Sequence, residues 1–163
     1  MGVSGCGKSE VGKAIAHRSE GHLIEGDAFH PAANIEKMSA GHPLNDQDRA
    51  GWLDILGEEL AKAVANGERP VLACSALKLS YREKLRHAVP NLGFVFLELS
   101  REVAQERVSH RPGHFMPASL IDSQFATLEP PTGEALTLTV DATQPIETLG
   151  EQAADWWAAS RQS

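Results

Sequence analysis

Gly2-Val3-Ser4-Gly5-Cys6-Gly7-Lys8-Ser9 satisfies every fixed position of the pattern G-x-x-x-x-G-K-[ST]. Glycine at this spacing lets successive backbone N–H groups turn inward as a nest for an anion, and a helix starting at Lys8 adds the positive end of its dipole. In such a loop Lys8 reaches the β- and γ-phosphates of a nucleoside triphosphate, and the Ser9 hydroxyl ligates Mg²⁺. The expected phosphate-binding residues are therefore Gly2, Val3, Ser4, Gly5, Cys6, Gly7, Lys8 and Ser9. A chance glycine-rich turn is the weaker reading, because a helical pattern follows at once. The loop alone does not separate kinase from ATPase or GTPase. No N-K-x-D guanine-reading run occurs, which favours ATP.

A loop of this kind ordinarily follows a buried apolar strand, whereas only Met1 precedes Gly2. The expectation is a sheet whose first strand is missing from this chain, either because Met1 is internal to a longer frame or because the strand is absent. Downstream, short apolar runs alternate with helical patterns, the mark of an α/β domain with a mostly parallel sheet flanked by helices. The patterns predict strands at 22–25, 70–74, 92–99 and 136–140, with helices at 8–20, 34–40, 79–88, 102–110, 118–127 and 145–159. A longer helix runs from the polar loop 43–46 to about Asn66, its inner face read as Trp52, Leu53, Leu56, Leu60 and Val64. Trp156 and Trp157 read as packing residues.

The 163 residues suffice for one domain, taken as 1–163, with a small lid at about 107–117. The 42% hydrophobic and 23% charged content is that of a soluble globular protein, and no apolar run nears the roughly 20 residues a bilayer demands. No secretory signal opens the chain, and Cys6 and Cys74 are too few for a disulfide framework, so a cytoplasmic address is expected. The net charge of -7 argues against nucleic-acid binding. Local clusters at Lys8, at Lys78, Arg82, Lys84 and Arg86, and at Arg101, Arg107 and Arg111 could still form a basic cleft for a small anion.

Glu25-Gly26-Asp27 ends a strand, at the edge that faces ligand in open parallel sheets. Two carboxylates two residues apart on a strand point to one side, one toward the magnesium water shell and one toward an acceptor hydroxyl. The residues that follow are more specific: Asp27-Ala-Phe-His30-Pro31-Ala-Ala-Asn34-Ile35-Glu-Lys37-Met38, Gly41-His-Pro43-Leu44-Asn45-Asp46-Gln-Asp48-Arg49, and Trp52-Leu53. With Cys74-Ser75-Ala76-Leu77-Lys78, Tyr81-Arg82, Leu85-Arg86, and later Arg107, Arg111, Gly113-His114-Phe115, Gln124-Phe125 and Thr127-Leu128, this closely resembles the gluconokinase family from Gly2 to about Pro145.

The resemblance implies a homodimeric ATP:gluconate phosphotransferase giving 6-phosphogluconate, on a P-loop fold similar to shikimate and nucleoside-monophosphate kinases. Asp27 matches the acidic residue that orients or deprotonates the acceptor hydroxyl, and Glu25 stands where the family commonly has Asp. An acceptor carboxylate calls for cations, for which Arg82 and Lys78 are the candidates, with His30, Asn34 and Gln124 as further substrate contacts. Arg111, beside a Pro-Gly hinge, is the candidate transition-state contact, with Arg107 as a second phosphate ligand. Two rivals stand beside this reading. One is a kinase of the same fold with another acceptor, such as shikimate, against which the His30-Pro31-x-x-Asn34 run speaks. The other is an ATP-binding regulator without efficient transfer.

Overall fold

The glycine-rich loop feeds directly into α1 (Lys8–Arg18), and the alternation predicted from sequence continues to the last helix. The computed structural model describes residues 1–112 and 117–162. Residues 113–116, which include Gly113, His114 and Phe115 of the expected lid, lie outside the described residues. The elements after α1 are β1 (His22–Glu25), α2 (Ala32–Ser39), α3 (Asp46–Ala65), β2 (Pro70–Ala73), α4 (Leu79–Ala88), β3 (Phe94–Glu98), α5 (Arg101–Ser109), α6 (Ala118–Thr127), β4 (Thr137–Asp141) and α7 (Ile146–Ser160).

The strands form two parallel pairs. In one, β1 lies beside β2 with His22 opposite Pro70 and Glu25 opposite Ala73; in the other, β3 lies beside β4 with Phe94 opposite Thr137 and Glu98 opposite Asp141. Met1 and Gly2 sit between the pairs. The Met1 nitrogen donates to the Val95 carbonyl at 2.7 Å, Leu97 N–H donates to the Met1 carbonyl at 3.0 Å, and Gly2 N–H donates to the Ser75 carbonyl at 3.1 Å. These bonds anchor the start of the phosphate loop between Val95 and Leu97 of β3 and Ser75, two residues past the end of β2.

Two apolar clusters hold this frame. Val3, Cys6, Val11, Leu97, Ala104, Val140 and Leu149 belong to the first, which joins the phosphate loop to β3, β4, α5 and α7. The second gathers Trp52, Leu53, Leu56, Leu60, Tyr81, Leu85 and Phe94 from α3, α4 and β3. Helix α3 starts in a capping box: the Asn45 side chain accepts from Asp48 N–H at 2.8 Å while the Asp48 carboxylate accepts from Asn45 N–H at 2.9 Å. Val64 departs from the expected inner face; it is 48% exposed while its neighbour Ala63 is buried. The stripe at 53, 56 and 60 continues to 63, in keeping with the 3.6-residue turn. Trp156 and Trp157 cover Gly93, where an added Cβ would lie 2.6 Å from the Trp157 ring.

One local expectation fails. The strand ends at Glu25 and the chain turns into a 3₁₀ turn over Gly26–Phe29, so Glu25 and Asp27 do not share one strand face. The tight turn follows from Gly26, whose carbonyl accepts from the Trp52 indole N–H at 2.8 Å. An added Cβ on Gly26 would come within 2.6 Å of the Ala73 carbonyl oxygen.

Candidate active site

The phosphate loop has the backbone that its glycines predict. Gly5 and Gly7 have φ of 84° and 92°, a region in which a side chain is strained. A Cβ on Gly5 would also sit 3.1 Å from the Ala104 carbonyl. Lys8 arches over the loop, its Nζ donating to the carbonyls of Gly2 and Val3 at 3.1 and 3.0 Å. The Ser9 hydroxyl donates to Glu25 Oε2 at 2.9 Å. A hydroxyl and a carboxylate at this distance form a hard oxygen pair suited to magnesium, an ion that takes few protein ligands and keeps several waters.

A cleft of about 320 Å³ opens beside the loop. Ser4 and Lys8 line it from the loop, Asp27 and His30 from the turn after β1, Arg49 and Trp52 from α3, and Gln124 from α6. Ile35, Met38, Leu44 and Leu120 supply apolar wall. Another hollow, about 370 Å³, lies between β1 and α3, and none of the phosphate-loop residues borders it. The chemistry therefore converges on the smaller cleft.

Within it, Asp27 is strongly exposed, with its carboxylate 3.8 Å from His30 Nε2. His30 stacks on Trp52 with ring centroids 4.1 Å apart. Burial holds the His30 pKa below the usual imidazole value, with Asp27 opposing and Arg49 adding to the shift, so the ring is neutral at neutral pH. Arg49 is buried at 8% exposure, and its guanidinium donates to the Tyr81 hydroxyl at 3.2 Å.

A family model described as an AAA domain matches residues 1–131. The gluconokinase of Gluconobacter oxydans (strain 621H) is 46% identical over 152 residues, covering 93% of this chain and 85% of that protein. The chain belongs to the gluconokinase family. The thermoresistant gluconokinase of Escherichia coli (strain K12) is 43% identical over 90% of this chain and 85% of its own. The crystal structure of a gluconokinase from Sinorhizobium meliloti 1021 superposes with a TM-score of 0.89 at 52% identity, covering 98% of this chain and 90% of that one. The fold is thus the P-loop kinase α/β fold expected from Gly2 to Ser9.

The basic residues of this gluconokinase-family chain are distributed otherwise than the sequence suggested. Arg82 is not a substrate ligand in this geometry: it is fully buried, with Nε and Nη2 on the Glu134 carboxylate, Nη1 on the Ala76 carbonyl at 2.8 Å and Nη2 on the Glu129 carbonyl at 2.9 Å. Lys78 also stays outside the cleft, 2.8 Å from Asp46 Oδ1, and lowers the Asp46 pKa together with Tyr81. Lys84 pairs with Asp54, Arg86 with Glu134 and Arg101 with Asp122. The basic cleft expected from clustering along the chain is therefore largely spent on local carboxylates.

Among the described residues Arg49 is the guanidinium that lines the cleft, a place not expected for it from the motif 41–49. It had a signal. Arg49 precedes Trp52, Leu53 and Leu56 at i+3, i+4 and i+7, so a charge sits on the buried stripe of α3. Arginine in such a position needs a partner or a ligand.

The structure places the four remaining expected site residues as follows. Gln124 lines the cleft, but its amide is bound to Ser4 at both ends: Ser4 N–H donates to Oε1 at 2.8 Å and Nε2 donates to Ser4 Oγ at 3.1 Å. Asn34 is buried behind His30 instead of facing the cleft. Arg107 ties the phosphate loop to the segment after β4 through the carbonyls of Gly5 at 3.3 Å and Ala142 at 3.1 Å. Arg111 is exposed just before Pro112, at the border of the described residues.

Proposed function

We propose that this protein phosphorylates D-gluconate with ATP, giving 6-phosphogluconate and ADP. The observation that carries the reading is the single cleft that gathers Lys8 and Ser4 of the phosphate loop, Asp27 and buried Arg49, in a chain of the gluconokinase family. The loop's N–H groups and Lys8 hold the β- and γ-phosphates, so Lys8 exchanges its two loop carbonyls for phosphate oxygens. Ser9 and Glu25 are the residues that would hold magnesium; when bound, the ion would offset charge on the phosphate oxygens.

Asp27 takes the proton of the acceptor hydroxyl as its oxygen bonds to the γ-phosphorus. The bond from that phosphorus to the β–γ bridging oxygen breaks, and ADP carries the electron pair away. Arg49 binds the acceptor carboxylate through its planar fork, and the apolar wall excludes water. Arg111, at the edge of the expected lid over 107–117, closes on the transferring phosphoryl group.

A coupled assay with ATP, Mg²⁺ and a panel of sugar acids tests the reading: gluconate should give the highest kcat/KM, and faster turnover of shikimate or a nucleoside monophosphate would refute it. Losing a buried charged partner costs about 2 to 5 kcal/mol, so Arg49→Ala should raise the gluconate KM by roughly 30-fold or more with little change for ATP. Asp27→Asn should reduce kcat by about 10²-fold while the gluconate KM moves little. Equal loss in both parameters would deny Asp27 its role as proton acceptor.

The family resemblance further supports a cytoplasmic homodimer, which sedimentation and fractionation check. Both cysteines are free and buried, and burial pushes the Cys74 thiol up to about 11, which keeps it protonated and unreactive at neutral pH. Among the described residues no helix is long and apolar enough to cross a membrane.

A further inference from the structure

A chain of contacts runs from a backbone carbonyl at the start of α3 to the edge of the cleft. Asn34 Nδ2 lies 3.0 Å from the Asp48 carbonyl oxygen, which can only accept, so the NH₂ end of the amide must face it. The same Nδ2 lies 3.3 Å from His30 Nδ1, which must therefore accept the second amide hydrogen. A neutral imidazole that accepts at Nδ1 carries its proton on Nε2. That Nε2 lies 3.8 Å from Asp27 Oδ1. The ring cannot turn away freely, because it is stacked on Trp52 with an interplanar angle of 16° and its side chain is only 6% exposed. Asp48 is itself held by the Asn45 capping box and by Lys37, at 2.5 Å.

We propose that Asn34 is a positioning residue that locks His30 as the Nε2–H tautomer, so that His30 presents a fixed donor beside Asp27. This rests on the gluconate kinase reading for its consequence: the acceptor hydroxyl accepts from His30 Nε2–H and donates its own hydrogen to Asp27. The proton that leaves the hydroxyl goes to Asp27, and His30 keeps its proton throughout. The groups that face His30 are Asp27 from the turn, Arg49 and Trp52 from α3, Asn34 from α2 and Lys8 across the cleft, with the Lys37–Asp48 pair behind Asn34. An imidazolium here would set two donors, Nδ1–H and the Asn34 amide, against each other. It would also pair with Asp27 and weaken it as a proton acceptor.

Long-range ¹H–¹⁵N NMR of the histidine-labelled full chain reads the tautomer directly, with His30→Gln identifying the resonance. The expected wild-type spectrum shows a protonated Nε2 and an unprotonated Nδ1 at neutral pH. Asn34→Asp puts a carboxylate beside Nδ1, which favours Nδ1–H and the imidazolium, so the His30 pKa should rise by about one unit or more. The acidic limb of the kcat profile with gluconate should move up by the same amount while the ATP KM stays within about twofold.

An Nδ1–H tautomer in the wild type overturns the proposal, even if no Asn34 variant folds. A raised His30 pKa with an unmoved pH–kcat profile removes its tie to the reaction. If no sugar acid is phosphorylated but the tautomer is as expected, the functional reading fails and the Asn34 lock stands.

Discussion

Replacing Lys8 by alanine is expected to lower turnover by about 10²- to 10³-fold, the usual effect of removing one preorganised donor from developing charge. The fold should survive. Lys8 is only partly buried and its partners are the carbonyls of Gly2 and Val3 at the loop's own edge, which water can reach once the side chain is gone. Arg107, the other cation on the loop, is held on the carbonyls of Gly5 and Ala142. Steady-state kinetics with gluconate and ATP, together with a melting curve, check both halves. Near wild-type turnover would mean that the phosphate loop is not where transfer occurs.

Arg82→Ala is expected to damage stability instead of acceptor binding. The change leaves the Glu134 carboxylate, which is 13% exposed, with Arg86 as its remaining cation and frees the Ala76 and Glu129 carbonyls, so the loss should be about 3 to 5 kcal/mol. At roughly 2 to 4 °C per kcal/mol for a chain of this size, melting should fall by about 10 °C. The physical reason is topological: Arg82 joins α4 to the segment after β2 and to the 129–134 loop, where Glu129 N–H also donates to the Leu77 carbonyl.

The pH dependence follows with a definite sign. Arg82 first, then Arg86, hold the Glu134 pKa below the ordinary carboxylate value against the opposing effect of burial. A depressed carboxylate contributes stability that is fully present above its unfolded pKa, about 4.3, and is lost as pH falls through the lower folded value. Wild type should therefore lose stability in acid more steeply than Arg82→Ala, in which less of that contribution remains. An unchanged melting temperature in Arg82→Ala, with a raised gluconate KM, would restore Arg82 to the acceptor site.

The phosphate loop, the α/β alternation and most element limits follow from the sequence because they depend on local chemistry. Glycine at 5 and 7 permits positive φ, period-3.6 stripes bury one helix face, and Asn45 with Asp48 caps α3 whatever lies elsewhere. The family, too, was legible in contiguous motifs from Asp27 to Trp52. What the linear order does not contain is which carboxylate each cation meets. Lys78 and Arg82 follow a strand end, where ligands are commonly bound, yet Asp46 lies 32 positions before Lys78 and Glu134 lies 52 positions after Arg82. Only the packing of α3 and of the 129–134 loop against α4 brings those charges together, Arg82 in a buried pair and Lys78 in an exposed one, and each pair engages its cation away from the cleft. The same packing turns Arg49 from one more charge in a polar stretch into a guanidinium lining the cleft beside the phosphate loop, and sets Asn34 behind His30.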